Sequence, residues 1–379
     1  MTLKYPFLDL GKVNEPYLEL LSEAAERVIR SGRYIGGPEI EEFEARLREE
    51  LEVEHAIGVS NGLDGLRLIF HALIELGRLK RGDEVIVPAN TYIASVLAVT
   101  DAGLTPVLVD VDERTMNIDE NRMREAITEQ TRAVLLVHLY GRVAWNEAIS
   151  NLIQENNLTV IEDCAQSIGA RSVYEGLNGT FKSGSLGLAA AFSFYPTKNV
   201  GALGDAGAVT TNDHVLAKAI RALANYGCDR RYHNIYCGYN CRLDPLQAAL
   251  LNVKLKHIDQ ENADRFARAV TYSRNIVHPD VITPIMSDAV TDNVWHQYVI
   301  RVINGNRDRM QAELLARGVG TDIHYPLPAH LQPCYSALKH APLPITEMLS
   351  TEILSLPIGT GTSVKDAAEI SEIINSIAL

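Results

Sequence analysis

The chain has 379 residues, which is enough for one large domain and a smaller one. Hydrophobic residues make up 46% of it and charged residues 22%, as is usual for a globular protein. The formal net charge of −13 argues against nucleic acid or an anionic membrane as the main partner, because neither attracts a strongly acidic surface.

Short apolar runs alternate with segments of helical period over the first two thirds of the chain. Pro38 suits the first turn of the earliest helix. In chain order we predict helices 38–51 and 63–77, strand 84–88, helix 92–102, strand 106–111, helix 119–127, strand 133–139, helix 144–156, strands 159–163, 190–194 and 208–211, helix 213–225 and a long helical region 245–277. This alternation predicts an α/β domain with a mainly parallel sheet flanked by helices.

The pattern changes beyond residue 277. We predict a strand over 294–302, a helix over 307–317 that Asn306 caps and Gly318 ends, an irregular Pro-rich segment over 325–344, and a last helix over 363–377. The sequence therefore predicts a large α/β domain over residues 1–255 and a smaller C-terminal α+β domain over residues 256–379.

Cysteine usage and the N-terminus indicate the compartment. Five cysteines, an odd number without small-scaffold spacing, indicate a reducing environment. The run from His233 to Cys241 lacks the paired spacing of zinc ribbons, so we expect no metal site. The first residues contain no apolar signal region, and apolar runs fall short of the length that spans a bilayer. We expect a soluble cytoplasmic protein.

Lys198 is the residue with the most informative surroundings. It follows the apolar run 189–194 and lies in a Gly-rich loop that extends to Gly207. A desolvated amine loses its proton more easily and can form a Schiff base with an aldehyde. The alternative is a solvated loop lysine.

Three further features could bind a planar phosphorylated cofactor. The turn from Ser60 to Leu63 precedes a helix whose N-terminal N–H groups suit a phosphate, although a plain helix cap is the alternative. Asp163 ends a buried strand, where a carboxylate could pair with a protonated pyridine nitrogen or cap a helix. Tyr92 follows another strand, where its ring could stack on a cofactor or pack in the core.

A fourth segment, Gly238–Asp244, precedes a helix, and a turn with Asp244 as N-cap and Pro245 at the first helical position is its simplest interpretation. An aldehyde-trapping lysine, a phosphate turn, a carboxylate and a stacking aromatic together describe a site for pyridoxal 5′-phosphate (PLP). The PLP would act as an electron sink, and the protein would orient it.

In these motifs the chain resembles the DegT-type nucleotide-sugar aminotransferases of the fold-type-I PLP superfamily. The resemblance covers nearly the whole length, and its motifs are residues 34–44, 60–62, 88–92 and 163–166, the Lys198 loop, residues 240–244 and 324–326. It implies the fold-type-I architecture of a large α/β domain and a smaller C-terminal domain.

The resemblance also implies a role for each matching residue. Lys198 would form the Schiff base and move the proton, and Asp163 would pair with the pyridinium nitrogen. The remaining cofactor contacts would be Gln166 to the ring hydroxyl, Gly62, Leu63 and Ser193 to the phosphate, Tyr92 to the ring face, and Asn240 to the phosphate of the other subunit's cofactor. Shared sites of this kind imply a homodimer.

Four residues depart from the family's pattern. Leu63 stands where Thr is frequent, which leaves only its backbone N–H for a phosphate contact. Arg142 and Trp145 replace a more usual Gln and Asp, and we expect these changes to alter the cofactor surroundings. Cys164 follows Asp163 where Ala is more common.

The loop 201–207 resembles enzymes that aminate a 3-keto sugar, as do residues 225–227, 295–298 and 324–333. The implied reaction transfers the amino group of L-glutamate to carbon 3 of a dTDP-linked keto-6-deoxyhexose. A UDP-linked 3-keto sugar or a 4-keto nucleotide sugar is the alternative substrate. The candidate substrate contacts are Tyr34, Tyr226, His324 and Tyr325, for which packing at a domain or dimer boundary is the alternative. Arg230 and Arg231 could meet the diphosphate or form a solvated basic pair.

Two other functions remain open at this point. A PLP-dependent sugar dehydratase is one, but relatives of that type carry His in place of the lysine. A catalytically silent PLP-fold protein with a binding or regulatory role is the other. The presence of Lys198, Asp163 and Gln166 counts against both.

Overall fold

A central sheet and a smaller second sheet organise the chain in the computed structural model, which describes residues 3–174, 179–286 and 292–379. The strands are β1 His55–Val59, β2 Glu84–Pro88, β3 Thr105–Val109, β4 Thr131–Val137, β5 Thr159–Asp163, β6 Arg171–Tyr174, β7 Gly179–Lys182, β8 Ala189–Ser193, β9 Gly207–Thr211, β10 Cys228–Arg230, β11 His233–Asn234, β12 Val281–Ile282, β13 Tyr298–Val302 and β14 Ile353–Leu356.

Helices cover the sheets and connect their strands. They are α1 Leu10–Asn14, α2 Leu18–Ser31, α3 Pro38–Leu51, α4 Gly62–Glu75, α5 Ile93–Asp101, α6 Glu120–Ala126, α7 Glu147–Glu155, α8 His214–Ala224, α9 Pro245–Lys254, α10 Ile258–Asn275, α11 Arg307–Ala316, α12 Pro344–Glu352 and α13 Val364–Asn375. Among the residues described here, we find no helix with the length and apolar character needed to cross a membrane.

The central sheet has seven strands in the order β1-β9-β8-β5-β4-β2-β3. Only β9 runs against its neighbours, and the remaining strands are parallel to one another. Parallel strands place their carboxyl ends along one edge of a sheet, which is where open α/β sheets bind ligands. The predicted α/β class with a mainly parallel sheet is confirmed.

Strand β4 is covered by helices on both faces, which explains why its sequence is apolar without polar alternation. Ala133 and Leu135 belong to the hydrophobic cluster that α4 and α5 also enter. Val134 and Leu136 belong to the cluster on the other face, which contains residues of α6 and α7. Since successive side chains point to opposite faces, both faces of the strand must be apolar to be covered by helices.

The C-terminal part has its own antiparallel sheet, β12-β13-β14. Its core contains Tyr272 of α10, Ile300 of β13 and Ile370 of α13. Tyr5 joins the same core, and its backbone N–H donates to the Gly318 carbonyl at 2.9 Å. The boundary between residues 255 and 256 remains a prediction, and the N-terminal segment near Tyr5 packs with the smaller part.

Several local expectations need correction. The predicted helical region 245–277 consists of α9 and α10 separated by a short 3-10 turn over 255–257. In the described structure the Asn306 side chain makes no cap hydrogen bond to α11. The predicted strand 294–302 begins only at residue 298, because Trp295 adopts a positive φ of 51° and bends the preceding chain away from the sheet.

Candidate active site

The carboxyl ends of the parallel strands border a cavity of about 400 Å³. Asp163 ends β5 and Ser193 ends β8, while Tyr92 lies four residues after the end of β2. The fold thereby brings together most of the residues that the sequence analysis selected. The predicted site residues that line the cavity are Gly62, Leu63, Tyr92, Asp163, Gln166, Ser193, Lys198, His324 and Tyr325.

The N-terminus of α4 forms one end of the cavity. Asn61 is its N-cap, and its side-chain oxygen accepts the Asp64 N–H at 2.9 Å. The N–H groups of Gly62 and Leu63 precede the first intrahelical hydrogen bond, so they are available to an anion at the cavity wall. A Cβ on Gly62 would lie 2.8 Å from Cβ of Ser193, so this approach of α4 to β8 requires glycine.

Asp163 is buried and its carboxylate orientation is fixed by two donors. The Ser95 hydroxyl donates to Oδ2 at 2.7 Å, and the Ala165 N–H donates to Oδ1 at 3.1 Å. The residues that follow Asp163 form turns, so the helix-cap alternative is wrong. A carboxylate held this way can accept a further hydrogen bond from a cationic ring nitrogen in the cavity.

Lys198 lines the same cavity. Burial lowers the pKa of Lys198 to about 8, and the negative charge of Asp163 acts in the opposite direction. Its backbone N–H donates to the Tyr195 carbonyl at 2.8 Å. A Cβ on Gly201 would lie 2.2 Å from the Pro196 carbonyl oxygen, so glycine is required to close this loop.

Tyr92, Tyr325 and Gln166 form a further part of the wall. The Tyr92 side chain is 53% exposed, and its ring centroid lies 5.1 Å from that of Tyr325. Gln166 donates through Nε2 to the Tyr325 hydroxyl at 3.1 Å, and its Oε1 accepts the Tyr140 N–H. Burial raises the pKa of Tyr325, so its hydroxyl remains a donor at neutral pH.

His324 also lines the cavity, and its Nδ1 lies 2.9 Å from the Ser355 hydroxyl. Burial lowers the pKa of His324, while the charge of Asp322 raises it. Because the pKa of His324 is lowered on balance, its imidazole stays neutral at physiological pH. A neutral imidazole and the Tyr325 phenol can contact an uncharged sugar ring without the cost of burying a charge.

The cavity also contains residues to which the sequence analysis gave no site role: Thr91, Asp205, His296 and Gln297. Ser95, which fixes Asp163, was missed as well. His296 and Gln297 enter the cavity because of the bend at Trp295, directly before β13. The apolar residues around Trp295 do not predict this bend.

Three predicted site residues lie outside this cavity. Tyr34 is 58% exposed and donates its hydroxyl to the Ile29 carbonyl, and Tyr226 is 49% exposed. Asn240 is also exposed, in a backbone bridge with Asn225. Their assignment to substrate or to the cofactor of a second subunit stays a prediction.

Of the four departures from the family's pattern, one lines the cavity and three lie around it. Leu63 lines the cavity, whereas the Arg142 guanidinium is directed outside it, to the Ile285 carbonyl and to Asp292 at 3.5 Å. Trp145 packs against the cluster on the α6–α7 face of the sheet. Burial raises the pKa of Cys164 well above its usual value, so its thiol is unreactive.

His138, Glu162 and Cys164 are buried with potential ligand atoms close together, next to the Asp163 position. Glu162 accepts from His138 Nε2 at 2.8 Å, and His138 Nδ1 accepts the Ala144 N–H. The Glu162 carboxylate also accepts three backbone N–H groups, those of Gly184, Leu186 and Gly187. Because these bonds already use the acceptor positions, the cluster is a structural hydrogen-bond network rather than a metal cage.

Comparisons with known proteins agree with this geometry. The sequence profile of the DegT/DnrJ/EryC1/StrS aminotransferase family matches residues 19–375. A protein of Aneurinibacillus thermoaerophilus named dTDP-3-amino-3,6-dideoxy-alpha-D-galactopyranose transaminase is 44% identical over 370 residues, which are 98% of this chain and 98% of that protein. The dTDP-3-amino-3,4,6-trideoxy-alpha-D-glucose transaminase of Streptomyces venezuelae is 44% identical over 361 residues, covering 94% of this chain and 92% of that protein.

A solved structure shows the same fold over nearly the full length. The crystal structure of S. venezuelae DesV, in complex with a ketimine intermediate, superposes with a TM-score of 0.91 and 42% sequence identity. The superposition covers 99% of this chain and 98% of that chain. The similarity therefore includes both the large and the C-terminal parts.

Proposed function

The chain belongs to the DegT/DnrJ/EryC1/StrS aminotransferase family, and from this premise we propose that it transfers the amino group of L-glutamate to carbon 3 of a dTDP-linked 3-keto-6-deoxyhexose. We propose PLP as the cofactor. The observation that carries the proposal is that Lys198 and Asp163 face one cavity beside the N-terminus of α4.

The residues present fit PLP. The available N–H groups of Gly62 and Leu63, with Ser193, would hold the phosphate at the helix N-terminus. Asp163 would hold the proton on the ring nitrogen, and the exposed face of Tyr92 would cover the ring. When bound, PLP supplies an electron sink for the charge that develops at the reacting carbon.

Lys198 performs the proton transfers in this proposal. Because burial brings its pKa to about 8, the amine can both accept and return a proton near neutral pH. Asp163 is held by Ser95 and Ala165 and keeps its orientation while the proton moves. Gln166 and Tyr325, joined by a hydrogen bond, line the same cavity as Lys198.

The two transaminases named above and the loop 201–207 support carbon 3 as the reacting carbon and dTDP as the nucleotide of the substrate. His324 and Tyr325 line the cavity, and we propose that they contact the hexose. Tyr34, Tyr226 and Asn240 would complete the site of a second subunit, so we also propose a homodimer. A UDP-linked 3-keto or a 4-keto nucleotide sugar remains the alternative substrate, and the cytoplasm is the proposed compartment.

A panel of substrates tests the reaction. Purified protein is incubated with PLP, ¹⁵N-labelled glutamate and each of the dTDP- and UDP-linked 3-keto and 4-keto sugars, and the products are analysed by mass spectrometry. We expect ¹⁵N in the product of the dTDP-linked 3-keto sugar. Conversion of a 4-keto sugar without conversion of the 3-keto isomer would contradict the proposed carbon. A protein that stays colourless with PLP and yields no labelled sugar would contradict the aminotransferase reaction.

The depressed pKa of Lys198 predicts how cofactor capture depends on pH. Only the neutral amine attacks an aldehyde, so the rate should rise as pH increases and level off above about pH 8. Stopped-flow absorbance of cofactor-free protein mixed with PLP measures this rate. If the rate instead continues to rise until the pH reaches the ordinary lysine pKa of about 10.4, Lys198 is not desolvated.

A further inference from the structure

Asn199, the residue directly after Lys198, is buried and makes hydrogen bonds through both ends of its side chain. Its Nδ2 donates to the Val294 carbonyl at 3.1 Å and to Asn262 Oδ1 at 3.0 Å. Its Oδ1 lies 3.1 Å from Nδ1 of His296. We call Asn199, Asn262 and His296 the Asn199 network.

The hydrogen bonds of this network determine its donors and acceptors. Asn262 donates through Nδ2 to the Ile168 carbonyl at 3.2 Å, so its Oδ1 is the end that faces Asn199. Asn199 must then present Nδ2 to Asn262 and Oδ1 to His296. Because the Asn199 oxygen can only accept a hydrogen bond, His296 Nδ1 must carry the hydrogen and donate it, which fixes the tautomer of the neutral imidazole.

His296 is neutral in this arrangement. Burial lowers the pKa of His296 well below its ordinary value, and the positive charge of Lys198 lowers it further. With the proton on Nδ1, its Nε2 carries a lone pair, and Gln297 Nε2 lies 3.5 Å from it. A neutral imidazole can therefore hold Asn199 without adding positive charge beside the Lys198 amine.

The network joins two parts of the fold. Lys198 and Asn199 belong to the loop after β8, whereas Asn262 lies on α10 and His296 precedes β13. Elsewhere the loop is held by Lys254, whose amine donates to the Gly201 carbonyl at 2.7 Å. Asn199 is the side-chain attachment next to Lys198, so it limits how far the lysine backbone can shift.

We propose that Asn199 is a positioning residue for Lys198, and that His296 and Asn262 hold it in place. The proposal rests on the proposed function, because the position of Lys198 matters only if its amine takes part in the reaction. A displacement of about 1 Å in a reacting group can cost about 10²-fold in rate. Loss of the Asn199 side chain would allow such a displacement without removing a group that touches substrate.

The test compares Asn199→Ala with Asn252→Ala. Asn252 is a matched control because it is also buried and donates through Nδ2 to a backbone carbonyl, that of Glu39, from α9. The first measurement is kcat and KM for the keto sugar. The second is the pKa of Lys198 in cofactor-free protein, from competitive acetylation followed by peptide mass spectrometry. The ionisable groups that line the cavity with Lys198 are Asp163, Asp205, His296, His324, Tyr92, Tyr195 and Tyr325.

For Asn199→Ala we expect kcat to fall about 10²-fold, KM to change by less than about threefold, and the Lys198 pKa to rise because the amine gains access to water. Asn252→Ala should leave kcat and the Lys198 pKa near their wild-type values. The proposal is overturned if the Lys198 pKa of Asn199→Ala is the same as that of Asn252→Ala, whatever happens to kcat, or if only its KM changes.

A second pair of variants covers the case in which Asn199→Ala does not fold. In His296→Asn the side-chain amide can replace Nδ1–H as the donor to Asn199, whereas His296→Phe removes that donor. Because His296 also lines the cavity, this pair is judged by the Lys198 pKa and not by turnover: we expect His296→Asn to keep that pKa near the wild-type value and His296→Phe to raise it. An equal rise in the two variants would overturn positioning through Asn199.

The two proposals fail in distinguishable ways. If no keto sugar is aminated but Asn199→Ala still raises the acetylation pKa of Lys198, the proposed reaction fails and the positioning of Lys198 stands. If the wild-type protein aminates the 3-keto sugar and the Lys198 pKa is the same in Asn199→Ala, the positioning proposal fails and the reaction stands.

Discussion

Lys198→Ala is expected to lower kcat by about 10⁴-fold or more, because one amine serves both as the nucleophile that captures the cofactor and as the proton carrier. The structure supports this double role, since the pKa of Lys198 is about 8 and its neutral form is accessible at physiological pH. Alanine leaves the N–H groups of Gly62 and Leu63 in place. The variant should therefore still bind PLP non-covalently.

The measurement combines turnover with absorbance and mass spectrometry. Borohydride reduction should link the cofactor to the wild-type protein at Lys198 and leave the variant unlabelled. Lys218→Ala is the control, because Lys218 is an exposed lysine on α8 and its loss should change neither quantity. Residual activity of the variant above about one hundredth of wild type would exclude Lys198 as the essential amine.

Much of the site could be predicted because its residues lie beside recognisable elements. Asp163 and Ser193 end strands that are apolar on both faces, and Gly62 opens a helix directly after a small-residue turn. In a parallel sheet the carboxyl ends meet at one edge, so adjacency in space follows from position along each strand. The sequence and the resemblance together were enough to place these residues in one cavity.

Other features of the site could not be placed from local sequence patterns. Ser95 lies on a helix and reaches Asp163 only after α5 has packed on the sheet. His296 depends on the positive φ of Trp295, which is unusual for a tryptophan and is imposed by tertiary packing. The resemblance selected Tyr226 and Asn240, but both lie on the surface of the single chain, so their predicted roles depend on contacts with a second subunit.

Strand β5 shows how one fold separates two neighbouring carboxylates. Glu162 and Asp163 follow each other, and because side chains alternate along a strand they point to opposite faces. Glu162 is fully buried, and its carboxylate oxygens accept hydrogen bonds from His138 and from backbone N–H groups. Asp163 accepts two hydrogen bonds and lines the cavity. The sequence shows the pair, but only the register of β5 decides which carboxylate can take part in chemistry.

Asp163→Asn is expected to lower kcat by roughly 10²- to 10³-fold. A carboxylate beside a cationic nitrogen raises the pKa of that nitrogen by about one to three units, and each unit lost reduces the protonated fraction up to tenfold. The asparagine side chain has nearly the same shape and can still accept the Ser95 hydroxyl. The effect should therefore appear in turnover and in the pH titration of cofactor absorbance rather than in cofactor affinity.

Asp110→Asn is the matched control for this substitution. Asp110 is also a buried aspartate at the carboxyl end of a parallel strand, directly after β3, but it accepts the N–H groups of Ile345 and Thr346 outside the cavity. We expect Asp110→Asn to lower the unfolding temperature and to leave the absorbance titration unchanged. If the two variants lose turnover equally and neither shifts the titration, Asp163 supports the fold alone, and the proton on the ring nitrogen must be held by another group.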